Sequence, residues 1–126
     1  MERGVIQIYY GEGRGKSTAA LGNALRKADA GKNVIIVQFL KAKKEESANM
    51  KNGLNFARKV LATSECDLLV LDEILGVVDA GVISVEELCA IIRAKTEETD
   101  VILTGRRLPE ELREIADEVY NIRAEK

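Results

Sequence analysis

Gly11-Glu12-Gly13-Arg14-Gly15-Lys16-Ser17-Thr18 directly follows the apolar run Val5-Ile6-Gln7-Ile8-Tyr9-Tyr10. A glycine-rich loop that leaves a strand and opens a helix is a phosphate cradle. Its backbone N–H groups face the anion, a lysine adds positive charge, and a hydroxyl can meet a divalent cation. Lys16 and Ser17 fill the last two places. The general pattern is G-x-x-x-x-G-K-[ST]. Counted back from Lys16, its first glycine would be residue 10, which is Tyr10. The glycine stands one place later, at Gly11, so the loop is one residue short.

Two further clusters carry chemistry. Asp67-Leu68-Leu69-Val70-Leu71-Asp72-Glu73 is an apolar strand ending in two carboxylates. Beside a phosphate loop, Asp72 is placed to hold Mg²⁺ (or Mn²⁺) near the Ser17 hydroxyl. Glu73 can orient a water, bind the metal, or be structural. In Thr104-Gly105-Arg106-Arg107, Gly105 is expected to let the chain turn. Arg106 can reach a polyphosphate or a carboxylate, and Arg107 is expected to be solvated. The expected site therefore has Lys16, Asp72 and Glu73 in catalytic roles. The loop Gly11, Glu12, Gly13, Arg14, Gly15, Lys16, Ser17 and Thr18, with Arg106, binds the nucleotide. Ser17 and Asp72 meet the metal.

These residues need a scaffold that brings strand ends together. Short β-branched runs occur at Val5–Tyr10, Val34–Leu40, Leu68–Leu71, Val101–Thr104 and Val119–Ile122. Helical stretches lie between them, at Ser17–Gly31, Ala48–Thr63, Ser84–Lys95 and Pro109–Ala116. Ser84 with Glu87 reads as a capping box, and Pro109 suits a first turn. Alternating strands and helices with continuous apolar strands predict an α/β fold of the P-loop NTPase, RecA-like kind. It would be a three-layer sandwich with a mainly parallel sheet of about five strands and helices on both faces. Ligands in such sheets bind beyond the carboxyl ends of the strands, where all three clusters fall. The polar run Lys41–Ser47 reads as an exposed loop, either a linker or a lid.

The whole chain of 126 residues is expected to form a single domain, 1–126. A net charge of −2 with interspersed acids and bases points away from nucleic acid and anionic membranes. Cys66 and Cys89 have no partner motif and read as reduced, buried thiols. The absence of histidine removes imidazole acid–base catalysis and histidine metal sites. With no membrane span and no leader segment, the expected location is cytoplasmic.

Taken together, the motifs resemble the ATP:corrinoid adenosyltransferases of the BtuR/CobA/CobO type, which share the shortened loop. The resemblance runs through Ser17-Thr18-Ala19-Ala20-Leu21-Gly22, Val37-Gln38-Phe39-Leu40-Lys41 and Leu69-Val70-Leu71-Asp72-Glu73-Ile74. It continues in Gly81–Leu88, Leu103-Thr104-Gly105-Arg106, Leu108–Leu112 and Ala116-Asp117. It implies attack by a cob(I) corrinoid on the 5′ carbon of ATP, with triphosphate leaving over the loop and a divalent cation bridging the phosphates. It also implies a homodimer. The chain departs from the family in its middle segment. Only Lys41 to Cys66 separates the second strand from the Asp-Glu strand, Phe56 is the one aromatic there, and tryptophan is absent. No counterpart of the family's basic C-terminal tail is expected within residues 1–126. Two other readings stay open from the residues. One is an ATP-binding regulatory or partner subunit without corrinoid activity, and the other is a P-loop ATPase or kinase.

Overall fold

The computed structural model of the chain describes residues 4–12, 15–39, 47–63 and 65–123. Five strands and five helices follow one another as β1 (Ile6–Tyr10), α1 (Lys16–Asp29), β2 (Val34–Gln38), α2 (Ser47–Thr63), β3 (Leu68–Asp72), α3 (Ile74–Asp79), α4 (Val85–Arg93), β4 (Asp100–Gly105), α5 (Glu110–Ile115) and β5 (Glu118–Asn121). The strands form one sheet in the order β2-β3-β4-β1-β5. Every pairing is parallel, so the expected mainly parallel sheet is wholly so. β3 is buried at all five positions, which is why it reads as an unbroken apolar run and not an alternating one.

The two faces are covered unequally. One carries α2, α3, α4 and α5 over a core that includes Met50, Leu54, Leu61, Ile74, Leu75, Leu88, Ile92 and Leu112. On the other face, α1 lays Ala20 and Ala24 against Tyr9, Leu68, Val70 and Ile102. Two alanines at the contact let the helix sit close to the sheet, so its first turn lies just above the strand ends. Beside that contact Leu21, Leu25 and Ile36 are exposed.

Helix boundaries follow local chemistry. α1 stops at Asp29, and Gly31 (φ 83°) takes the left-handed position after the C-cap. Ser84 caps α4 by accepting a hydrogen bond from the Glu87 N–H at 3.1 Å, as the sequence predicts. α3 has no counterpart among the expected helices, because six residues are too short to show helical periodicity. β2 ends at Gln38, two residues before the expected boundary. Phe39 then turns into the core, and its N–H donates to the Asp72 carbonyl at 2.9 Å. Most of the polar run 41–47 lies outside the described residues.

Candidate functional site

The phosphate loop leaves β1 at Tyr10. Gly11 is buried with φ 133°, and a side chain there would collide with the Ile122 carbonyl. Its N–H donates to the Gly105 carbonyl at 3.1 Å, and the Ile122 N–H donates to the Tyr10 carbonyl at 2.7 Å. The loop is thus pinned by the tip of β4 on one side and the chain after β5 on the other. Gly15 (φ 127°) is the N-cap of α1 and accepts from the Ala19 N–H at 2.8 Å. No side chain caps α1 and no acid stands in its first turn, so its positive end is left for an anion. Glu12 and Thr18 are exposed, and Gly13 and Arg14 lie outside the described residues.

The acid side is built from three adjacent strand ends. Side-chain alternation puts Gln38, Asp72 and Thr104 on the face that α1 covers, with Val34, Val70 and Ile102 behind them. Gln38 and Asp72 share a register position across β2 and β3. Asp72 is 7% exposed. Its Oδ1 accepts hydrogen bonds from Ser17 Oγ at 2.8 Å and Thr104 Oγ1 at 2.7 Å. Its Oδ2 receives a long contact of 3.4 Å from Gln38 Nε2. Ser17 and Asp72, expected together from the sequence, are therefore in direct contact.

Glu73 follows with φ 62°, the left-handed region, and serves as N-cap of α3. Its N–H donates to Thr104 Oγ1 at 2.7 Å, which holds that conformation. Its carboxylate lies 3.8 Å from Lys16 Nζ. Lys16, Ser17, Asp72 and Glu73 thus form one connected group. Arg106 and Arg107 stand exposed past the end of β4, and among the described residues no hydrogen bond or ion pair joins Arg106 to that group.

Gly105 has a different reason from the expected turn. Its φ is not in the left-handed region, but a Cβ there would drive into the Leu75 side chain, which is fully buried. Glycine lets α3 press against the end of β4. Sequence reasoning also passed over Thr104 and Gln38 as site residues. Their signal was position alone, a polar residue ending an apolar strand.

Among the described residues no three His, Cys, Asp or Glu side chains converge as a metal cluster. The oxygens of Ser17 and Asp72 are hard donors, suited to a small divalent cation whose shell is completed by phosphate and water.

A parallel sheet whose first strand feeds a glycine loop and helix, with an acid-ended strand two places away, defines a P-loop nucleotide-binding domain fold. The sequence model of the ATP:corrinoid adenosyltransferases BtuR/CobO/CobP matches residues 2–51 and 42–126, and the chain belongs to this family. It is 28% identical to the corrinoid adenosyltransferase of Escherichia coli (strain K12), covering 97% of this chain and 78% of that protein. It is 30% identical to corrinoid adenosyltransferase CobA of Salmonella typhimurium over the same shares. The structure of AMPPCP-bound DnaA from Aquifex aeolicus superposes with a TM-score of 0.55 at 22% identity, covering 91% of this chain and 36% of that one. That likeness concerns the fold. The alignment with the E. coli relative spans 152 positions against a chain of 126, and the two family matches meet at 42–51. The shorter middle segment is therefore a real difference from the relatives.

Proposed function

We propose that this chain transfers the 5′-deoxyadenosyl group of ATP to a cob(I) corrinoid and releases triphosphate. The observation that carries the reading is the Ser17–Asp72 contact beneath a loop one residue short, in a chain of this family. In the reaction the cobalt electron pair forms a bond to C5′, and the C5′–O bond breaks. Triphosphate leaves with the electron pair of the broken C5′–O bond, and cobalt goes from the +1 to the +3 state. The nucleophile belongs to the substrate, so the protein needs no nucleophilic side chain.

The work left to the protein is to stabilise the leaving charge. In this proposal the loop of Gly11, Glu12, Gly13, Arg14 and Gly15, with Thr18 after it, cradles the triphosphate chiefly through its backbone N–H groups. Lys16 neutralises it, and Arg106 reaches it from the end of β4. Ser17 and Asp72 hold Mg²⁺ or Mn²⁺, which supplies further charge neutralisation on the phosphate oxygens. Glu73 keeps Lys16 in place until nucleotide arrives and then orients a water.

Three coarser proposals accompany this. The chain works as one nucleotide-binding domain over 1–126. It acts in the cytoplasm; no helix of the described residues is long and apolar enough to cross a membrane. It forms a homodimer, for which the exposed Leu21, Leu25 and Ile36 offer apolar surface. Sedimentation at micromolar concentration tests the last, and a monomer there would refute it.

The activity is tested by anaerobic incubation with ATP, Mg²⁺ and chemically reduced corrinoid. The expected result is an alkyl-cobalt visible spectrum with stoichiometric triphosphate. ADP and phosphate without a new cobalt–carbon bond would overturn the proposal in favour of phosphoryl transfer.

A further inference from the structure

We infer that Thr104 is a positioning residue for the cation: its hydroxyl turns Asp72 so that Oδ1 is used up inside the protein and Oδ2 is the oxygen presented to the ion's shell, with Gln38 beside it. This rests on the nucleotide-site reading above and extends it to two residues that reading leaves idle.

A carboxylate oxygen has two lone pairs to offer. Both of those on Asp72 Oδ1 are engaged, by Ser17 Oγ at 2.8 Å and Thr104 Oγ1 at 2.7 Å. Among the described residues Oδ2 has only the Gln38 amide at 3.4 Å, beyond the usual range for an N–H···O bond. The Ser17 hydroxyl donates its one hydrogen to Asp72, so what it can still offer is its lone pairs. Those suit a cation and not a second acceptor. Within the Ser17–Asp72 pair, the Ser17 oxygen and Asp72 Oδ2 are thus the oxygens with capacity left.

Thr104 is what keeps the carboxylate from turning. Its hydroxyl donates to Asp72 and accepts from the Glu73 N–H at 2.7 Å, so both directions are fixed. It is fully buried, and a β-branched side chain has little rotamer freedom in a strand. Rotating the hydroxyl away would leave a backbone N–H next to the core without a partner, which is costly. One hydroxyl therefore sets both acid positions. β4 makes this possible because it lies between β1 and β3 in the sheet. Gln38 approaches the same carboxylate from β2 on the other side, at its register partner. It is exposed, so it can leave Oδ2 when an ion arrives.

The test uses Thr104→Val, which keeps the shape and removes both hydrogen bonds, and Thr104→Ser, which keeps the hydroxyl. ATP affinity is measured by calorimetry in EDTA. Mn²⁺ affinity of the ATP complex is measured from the electron paramagnetic resonance signal of free Mn²⁺. Thr104→Val is expected to bind ATP in EDTA as the wild type does, and to bind Mn²⁺ about ten-fold or more weakly. Thr104→Ser is expected to restore Mn²⁺ affinity. Wild-type Mn²⁺ affinity in Thr104→Val, or an equal loss in Thr104→Ser, overturns the inference.

A second variant does not depend on a buried position. Gln38→Glu adds a carboxylate beside Oδ2 and is expected to tighten Mn²⁺ binding about three-fold or more, through an added charged ligand. No tightening would mean that Oδ2 does not face the ion. If the wild type fails to bind ATP in EDTA, the nucleotide-site reading itself falls, a result distinct from any change among the variants.

Discussion

Lys16 sits with its ammonium 3.8 Å from the Glu73 carboxylate, and that pair has to open before the charge can reach a phosphate. Lys16 is largely buried, whereas Glu73 is 41% exposed, so the partner that yields is Glu73. An ion pair this open contributes little, about 0.2–1 kcal/mol. Glu73→Gln is therefore expected to tighten ATP binding, by up to about five-fold on that scale. Lys16→Ala removes a charged hydrogen-bond donor and is expected to weaken ATP binding about ten- to hundred-fold. Calorimetric titration with ATP reads both. Unchanged affinity in Lys16→Ala would remove the phosphate-cradle assignment, and weaker binding in Glu73→Gln would show that Glu73 supports the nucleotide instead of competing with it. The two substitutions should not add, because they cut one interaction from either side.

At the level of elements, the tip of β4 joins the two halves of the site. Through the Gly105 carbonyl it holds the phosphate loop at Gly11, and through the Thr104 hydroxyl it holds the acid turn. Gly105→Ala would push its new methyl into the Cβ of Leu75, which cannot move without moving α3. Overpacking of this kind costs about 1–3 kcal/mol. The expected outcome is a lowered urea midpoint with an unchanged slope, and with it weakened Mn²⁺–ATP binding. A variant as stable as the wild type would show that α3 yields freely. The residues that were legible in the sequence are those whose chemistry demands a type at a spacing: the glycines, Lys16, Ser17, and Asp72 at the end of an apolar run. Thr104 and Gln38 were not legible as site residues. Their roles depend on which strands are neighbours, and no local pattern encodes the order β2-β3-β4-β1-β5. Gly105 was legible as a needed glycine but for the wrong reason, since space and not backbone angle requires it. α3 was hidden by its length.

At the scale of the molecule, among the described residues, one face of the sheet carries four helices and the other carries α1. Both cysteines are buried on the four-helix side, as expected of unpaired thiols. Burial pushes the Cys66 thiol up, with Asp67 and Glu65 adding to it. Burial also raises Cys89, against a smaller opposing effect of Arg93. On the α1 side burial raises the Tyr9 hydroxyl, in spite of its hydrogen bond from Asn23. In each case the folded state disfavours the anion. The associated stability is complete below the ordinary thiol range. It is lost as pH rises from there through the raised folded values. Melting temperature is expected to hold through neutral pH and to fall on the alkaline side, and Cys66→Ala with Cys89→Ala should flatten that fall. A melting temperature that rises with alkalinity would contradict the buried-thiol account. The sheet order has one more effect. With β4 inserted between them, β1 and β3 stand two strand spacings apart, about 10 Å. The two backbones are thus held at a fixed gauge, and the side chains of Ser17 and Asp72 reach across it to meet at 2.8 Å. The strand that contributes a single hydroxyl to the site also sets, by its mere width, how far a side chain on either neighbour must reach to meet the other.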